Sequence, residues 1–247
     1  MKAMIFAAGL GTRLKPYTET LPKALVPVGG IPMLEIIIEN FKRNGITEII
    51  INVHHFASQV IEFLRKNNNF GVDIVISHEE EMLLDTGGGL KKAAWFFNDQ
   101  QPFLVQNVDV ISDLNYQDML DSLNRSGSLA ALAVSRRETS RYFLFDKNMR
   151  LCGWENIKTG EVKLSHSESQ NLEQFAFSGI HIIDPAIFKF INQGARFSII
   201  DTYLGLAANQ KITGFSHNPE NWVDMGKPEE LLKAEIVLRK IKTAPLY

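Results

Sequence analysis

The sequence predicts an α/β protein whose sheet is parallel and covered on both faces, and three observations carry that expectation. Apolar, β-branched segments recur through the first half at 2–8, 48–53, 72–77 and 103–106. Longer stretches with helical spacing of apolar residues separate them. The strand segments are also too apolar to leave one wet face, as expected of strands buried on both sides.

Taken in order, the segment 2–8 runs into the glycine turn Gly9-Leu10-Gly11. Met33, Ile36, Ile37 and Phe41 follow with helical spacing, and Pro32 stands at the first helical position. After the strand at 48–53, Val60, Ile61, Phe63 and Leu64 mark a second helix, followed by the strand at 72–77. Three glycines, Gly87 to Gly89, open a helical run before the strand at 103–106, which ends near Asp109. They are costly in a helix interior, at about 1 kcal/mol each relative to alanine, and are expected at a helix start pressed against a flat ring.

Past a helix at 116–124 the rhythm turns to strands, at 129–134, 142–145, 151–154 and 175–183. The polar stretch 158–173 is expected as a loop or lid, and 185–191 and 199–208 as short helices. A strand at 211–215 precedes a last helix from Pro228 to about Lys242. That helix carries Leu231, Leu232, Ile236, Val237 and Leu238, with basic residues in its last turns. One continuous domain over 1–247 is expected, with a nucleotide half at 1–110 and an acceptor half at 111–247. No internal repeat is visible.

Composition excludes several classes. A formal charge of -2 gives no broad basic footprint for nucleic acid. A single cysteine, Cys152, cannot form an intramolecular disulfide or a multi-cysteine metal site and reads as a small core residue. No run approaches a membrane span and the N-terminal apolar run is too short for a signal segment, so a cytoplasmic protein is expected. Association into a homo-oligomer stays open.

The chemistry begins at Ala7-Ala8-Gly9-Leu10-Gly11-Thr12-Arg13. Leu14 breaks the dinucleotide pattern G-x-G-x-x-G, and no G-K-[ST] closes the turn as in a Walker loop. What remains is a turn whose glycines admit an anion to backbone N–H groups, with an arginine fork at its end. Lys23 follows in a segment stiffened by Pro16, Pro22 and Pro27. At about 4 Å and an effective dielectric of about 20, a cation–phosphate contact is on the order of 4 kcal/mol before desolvation.

The string from Ala7 to Val28 resembles the opening signature of the sugar-1-phosphate nucleotidylyltransferases, G-x-G-T-R followed by P-K-x-[LM]-x-P. The resemblance implies a Rossmann-like, mostly parallel mixed sheet flanked by helices. It also implies that Ala8, Gly9, Gly11 and Thr12 lie over a nucleoside triphosphate, UTP or GTP. Arg13 would then act on the β and γ phosphates and Lys23 on the α phosphate under attack. Asp109, at a strand end, and Asp224, in Asp224-Met225-Gly226-Lys227-Pro228, match the family's two Mg2+-holding aspartates. The family usually places glycine before the first of these, where this chain has Val108.

Leu84-Asp85-Thr86-Gly87-Gly88 resembles the family's base-binding turn, which implies nucleotide contacts from Thr86, Gly87 and Glu80. Its aspartate resembles the branch acting on N-acetylmuramate 1-phosphate. As a charge run, Glu79 to Glu81 also reads as a solvated surface. For the sugar 1-phosphate, the resemblance offers Ser178 and Gly179, and, before them, Glu155 and Asn156. The short stretch after Pro228 leaves no room for the hexapeptide-repeat domain of some relatives, so a monofunctional enzyme is expected. A regulatory module of the same fold that has lost catalysis is the alternative, and retention of Arg13, Lys23, Asp109 and Asp224 speaks against it. His54 and His55 lack a third ligand at metal spacing and read as structural. Trp95, Phe96 and Phe97 read as core.

Overall fold

The computed structural model describes residues 1–165 and 171–243. In chain order the strands are β1 (Ala3–Phe6), β2 (Pro27–Val28), β3 (Ile31–Pro32), β4 (Glu48–Val53), β5 (Asp73–His78), β6 (Phe103–Asn107) and β7 (Val110–Ser112). They continue with β8 (Ala130–Ser135), β9 (Arg141–Phe145), β10 (Leu151–Asn156), β11 (Glu161–Leu164), β12 (Glu173–Ile183), β13 (Ile212–Ser216) and β14 (Trp222–Asp224). The α-helices are α1 (Met33–Arg43), α2 (Ala57–Lys66), α3 (Asp85–Lys92), α4 (Tyr116–Ser126), α5 (Ile199–Ala207) and α6 (Glu230–Thr243). The chain divides into two compact units.

The first unit holds residues 1–84, 105–114 and the chain from Glu220 onward. Its sheet runs β6-β1-β4-β5, with β4 parallel to both β1 and β5 (Ala3↔Ile49, Ile49↔Ile74). Ile49, Ile50 and Ile51 are all buried, so successive side chains, which point to opposite faces, both meet cover. Helix α1 buries Met33, Leu34, Ile36, Ile37, Ile38 and Phe41, and Pro32 precedes it with the fixed φ that favours a helix start.

A separate cluster lies beneath the N-terminal signature. Leu14, Val26 and Val28 pack with Ile111, Val223 and Met225, and with Ala234, Val237 and Leu238 of α6. Each fully buried valine or leucine is worth about 1.5–3 kcal/mol. The signature loop is therefore held from below by the last helix and by the antiparallel pair β7–β14 (Trp222↔Ser112, Asp224↔Val110).

The second unit holds residues 85–104 and 115–219. Strand β8 lies between β12, antiparallel (Ala130↔Ile183), and β13, parallel (Ala130↔Ile212). Strands β9, β10 and β11 form an antiparallel meander, and the start of β12 pairs with β9. Between Phe177 and His181 the register of β12 against β8 shifts, and Gly179 takes a φ of 73°. This is a β-bulge, which bends a strand and re-aims its side chains.

Three expectations are corrected. Residues 161–164, expected within a loop, form β11, because Val162 and Leu164 alternate with polar partners along an antiparallel edge; residues 166–170 of that stretch lie outside the described residues. The expected helix at 185–191 is a 3-10 turn over Pro185–Phe190. Trp95 is 61% exposed, whereas Phe97 is buried and stacks on Phe103 with ring centroids 3.7 Å apart. The aromatic triplet follows α3 as a short 3-10 turn, which cannot aim three consecutive side chains inward.

Candidate active site

The loop after β1 folds back tightly on the segment that carries Lys23. Gly11 takes a φ of 65°, and its carbonyl accepts from Leu14 N and from Thr18 Oγ1, both at 2.8 Å. A Cβ on Gly11 would lie 2.8 Å from Thr18 Cγ2 and 3.1 Å from Lys23 Cβ. The glycine is thus required twice, by backbone conformation and by space.

Lys23 Nζ forms an ion pair with Asp109 Oδ2, in a setting where both side chains are largely buried. The Met225 N–H donates to Asp109 O at 2.7 Å and the Gly226 N–H to Asp224 Oδ1 at 2.8 Å, which fixes the two aspartates through adjoining backbone. The Asp224 carboxyl is pushed above the usual carboxylate range, first by burial and then by the charge of Asp109 and a hydrogen bond to it. Lys23 and the Gly226 N–H oppose that shift. Arg13 is exposed, yet its guanidinium lies against Gly226, where a Cβ would meet Nη2 at 2.7 Å. Arg13, Lys23, Asp109 and Asp224 are therefore gathered within the first unit, although they are far apart in sequence. Val108 is buried and donates its N–H to Phe6 O at 3.1 Å.

Among the described residues no three His, Cys, Asp or Glu side chains cluster as a metal cage. Asp109 and Asp224 nonetheless fit Mg2+, which commonly takes one or two carboxylates and completes its shell with substrate oxygens and water. Two adjoining carboxyls, one of them reluctant to ionise, form a donor set that a dication would relieve.

Of the other residues offered for the nucleotide, Ala8 is buried at the end of the β1 run, Gly9 is open and Thr12 is exposed. Glu80 is also exposed, with His78 Nδ1 at 3.3 Å. The buried member of the acidic run is Glu79, at 1% exposure, which sequence reasoning missed. It accepts from Asn52 Nδ2 at 2.7 Å and from Leu84 N at 2.8 Å, while Asn52 Oδ1 accepts from Ala7 N at 2.8 Å. The signal was available in strand parity, since Ser77 and Glu79 continue the inward positions of β5. His54, read as structural, has its Nδ1 2.6 Å from Glu79 O.

In the second unit, α3 begins at Asp85, whose φ is 61°. The N–H groups of Gly87 and Gly88 donate to Phe197 O at 2.9 and 3.3 Å, and Ile199 N donates to Thr86 Oγ1 at 3.0 Å. A Cβ on Gly87 would lie 2.3 Å from the Phe197 ring. The ring that Gly87 packs against is thus a side chain of the protein itself.

Ser178 is fully buried within the β12 bulge, with its Oγ 2.8 Å from His217 Nε2; Gly179 follows it. Glu155 accepts a hydrogen bond from Gln174 Nε2, and Asn156 Oδ1 accepts from Lys158 N at 3.1 Å, closing the turn between β10 and β11. The four acceptor-side candidates thus fall at two places, the bulge and the end of β10.

The nucleotidyl transferase family profile matches residues 2–240. A UTP--glucose-1-phosphate uridylyltransferase of Synechocystis sp. is 28% identical over all of this chain, which spans 66% of that relative's length. An N-acetylmuramate alpha-1-phosphate uridylyltransferase of Caulobacter vibrioides is 30% identical over 94% of this chain and 95% of its own. A putative glucose-1-phosphate thymidylyltransferase of Bacillus anthracis superposes with a TM-score of 0.78 at 22% identity, over 100% of this chain and 98% of that one. On the strength of the match over residues 2–240, this chain belongs to the nucleotidyl transferase family.

Proposed function

We propose that the protein transfers a nucleotidyl group from a nucleoside triphosphate, UTP or GTP, to a sugar 1-phosphate, releasing pyrophosphate and a nucleotide-sugar. The observation that carries this reading is the Lys23–Asp109 ion pair with the Asp224 carboxyl beside it and the Arg13 guanidinium against Gly226. All four groups required for charge stabilisation at a triphosphate meet within one unit, which favours catalysis over a regulatory module that has lost it.

The acceptor phosphate oxygen attacks the α phosphorus in line, and the bond from that phosphorus to the bridging oxygen of the β phosphate breaks. Lys23, released from Asp109, neutralises charge on the α phosphate; Arg13 draws off charge on the departing pyrophosphate. Mg2+ held by Asp109 and Asp224 would supply Lewis-acid charge at the phosphate oxygens. The glycine turn after β1 presents backbone to the triphosphate. The 1–110 half binds the nucleotide, with Ala8, Gly9, Gly11, Thr12, Glu80, Thr86 and Gly87 as its contacts. The 111–247 half binds the acceptor through Glu155, Asn156, Ser178 and Gly179.

No described helix is long and apolar enough to cross a membrane. The cytoplasm, where nucleoside triphosphates and a reduced Cys152 coexist, is the proposed location. The test is pyrophosphate release with UTP and GTP against glucose, mannose and N-acetylmuramate 1-phosphates. Release with at least one pair, dependent on Mg2+, is expected; silence across the whole panel overturns the reading.

A further inference from the structure

Helix α6 is apolar on two opposite faces. Ala234, Val237 and Leu238 pack beneath the signature loop, as the buried stripe of a surface helix does. Leu232 and Ile236 lie on the other side and are 73% and 59% exposed. Single exposed apolar residues are ordinary. Leu232, however, is the most exposed large apolar side chain among the described residues, and Ile236 stands one turn from it on the same face.

The two ends of this stripe carry opposite charges. Glu229 stands three residues before Leu232 and Arg239 three residues after Ile236, and both are exposed. The turn leading into α6, with Glu230 N donating to Lys227 O at 3.1 Å and Leu231 N to Pro228 O at 3.2 Å, continues the helical path back to Glu229. Along the helix the stripe therefore runs acid, leucine, isoleucine, base, with spacings of three, four and three residues. This is the a and d spacing of a helix that pairs with another helix. Contacts between exposed ions, such as that of Glu229 with Lys227 at 3.7 Å, are weak enough to exchange.

Turned end for end, the stripe matches itself. A second α6 laid antiparallel, with the two-fold axis level with Ala234, sets Leu232 against the partner's Ile236 and Glu229 against the partner's Arg239, each twice. A parallel pairing would set acid on acid and base on base. We infer that α6 is the contact of a homodimer, in which a second copy of this chain packs antiparallel on Leu232 and Ile236 while Glu229 and Arg239 select the direction. The apolar layers supply the affinity and the charged layers the specificity. Two helices of 14 residues bury less than the roughly 1,200 Å² of a stable interface, so association is weak and concentration-dependent. The inference goes beyond the nucleotidyl-transfer reading and does not depend on it.

Sedimentation equilibrium of the purified chain over about 1 to 100 μM, the affinity range of small interfaces, tests the inference. Wild type should pass from monomer to dimer within that range. Leu232→Ser and Ile236→Ser should each raise the dimer Kd at least about 10-fold. Their Tm in dilute solution should stay that of wild type, because both side chains already meet water in the monomer and the face beneath the signature loop is untouched. Glu229→Arg and Arg239→Glu should each weaken the dimer about 10-fold by setting like charges together at both ends. The double variant Glu229→Arg with Arg239→Glu restores opposite charges in the antiparallel arrangement and should return the Kd close to that of wild type. A wild-type chain that stays monomeric throughout, a dimer that Leu232→Ser and Ile236→Ser leave intact, or a double charge reversal no tighter than the single ones overturns the inference.

Discussion

Gly226 lies so close to Arg13 that a Cβ built on it would sit 2.7 Å from the Arg13 Nη2 and 2.7 Å from Asp224 Oδ1. The residue leaves room for a cation and an anion side by side, and its N–H also holds the anion at 2.8 Å. No left-handed backbone is involved, so Gly226→Ala tests space alone. One methyl group must displace the guanidinium or the carboxylate. A misplacement of about 1 Å at a reacting site costs on the order of 100-fold. Turnover in the pyrophosphate-release assay should therefore fall about 10- to 100-fold, with stability lowered by no more than about 1–3 kcal/mol. Wild-type turnover in Gly226→Ala would show that Arg13 and Asp224 need not sit together.

Lys23 is the cation between Asp109 and the phosphate it is proposed to serve. Lys23→Ala should lower kcat on the order of 100- to 1000-fold, as removal of a transition-state donor does elsewhere, with a modest change in triphosphate affinity. Undiminished turnover would refute the role.

The Asp224 shift adds a dependence on pH. Its carboxyl is held above its ordinary value of 3.8, chiefly by burial and then by Asp109, so above that pH the folded state keeps a proton that the unfolded chain has released. Its contribution to stability is thus present at low pH and is lost as pH rises through the shifted value. Mg2+ competes with the same proton, so Mg2+ affinity should strengthen as pH rises through that window and then level off. Lys23→Ala removes an influence that lowers the Asp224 shift and should move the window upward. Calorimetric Mg2+ titrations at several pH values, on wild type and Asp224→Asn, would check this. A pH-independent affinity in wild type would contradict it.

Much of this fold was legible because its strands are continuous apolar runs. Ile49 to Ile51 announce a buried parallel strand, and Ile36, Ile37 and Phe41 announce a helix face. The signature loop was legible because Gly11 and Lys23 stand at spacings that few other sites share. Three features were not. Strand β11 is short and polar and exists because β10 offers it an edge, which no local pattern records. Glu79 hides within three glutamates, and only its partners Asn52 and Leu84 N distinguish it from Glu80. The contact of Arg137 with the Phe177 carbonyl joins the loop after β8 to β12 beside a bulge that composition cannot locate.

His181 makes a second pH prediction, separate from the candidate active site. It is buried on β12 with Nδ1 2.6 Å from Tyr203 Oη, and burial pushes its pKa from 6.5 down to about 3. Between those values the unfolded chain binds a proton that the folded one does not. Stability from this residue is therefore complete above pH 6.5 and is lost as pH falls toward about 3, with a slope of about 1.4 kcal/mol per unit. Urea unfolding of wild type and His181→Phe across this range should show wild type losing the extra increment as the medium is acidified. Parallel curves would mean that His181 is protonated in the fold.

The Gly87–Phe197 contact yields the last expectation. A Cβ on Gly87 would meet the Phe197 ring at 2.3 Å and the Phe197 carbonyl oxygen at 2.9 Å, and that oxygen already accepts from Gly87 N and Gly88 N. The ring can rotate or withdraw, but the carbonyl is tied to the start of α3. Gly87→Ala should destabilise the protein by about 1–3 kcal/mol, the usual range for overpacking. Phe197→Ala removes the ring and leaves the carbonyl, so Gly87→Ala in that background should cost less, and the double-mutant cycle should return a coupling of about 0.5–3 kcal/mol. Additive costs in urea unfolding would show that the backbone, and not the ring, sets the requirement for glycine.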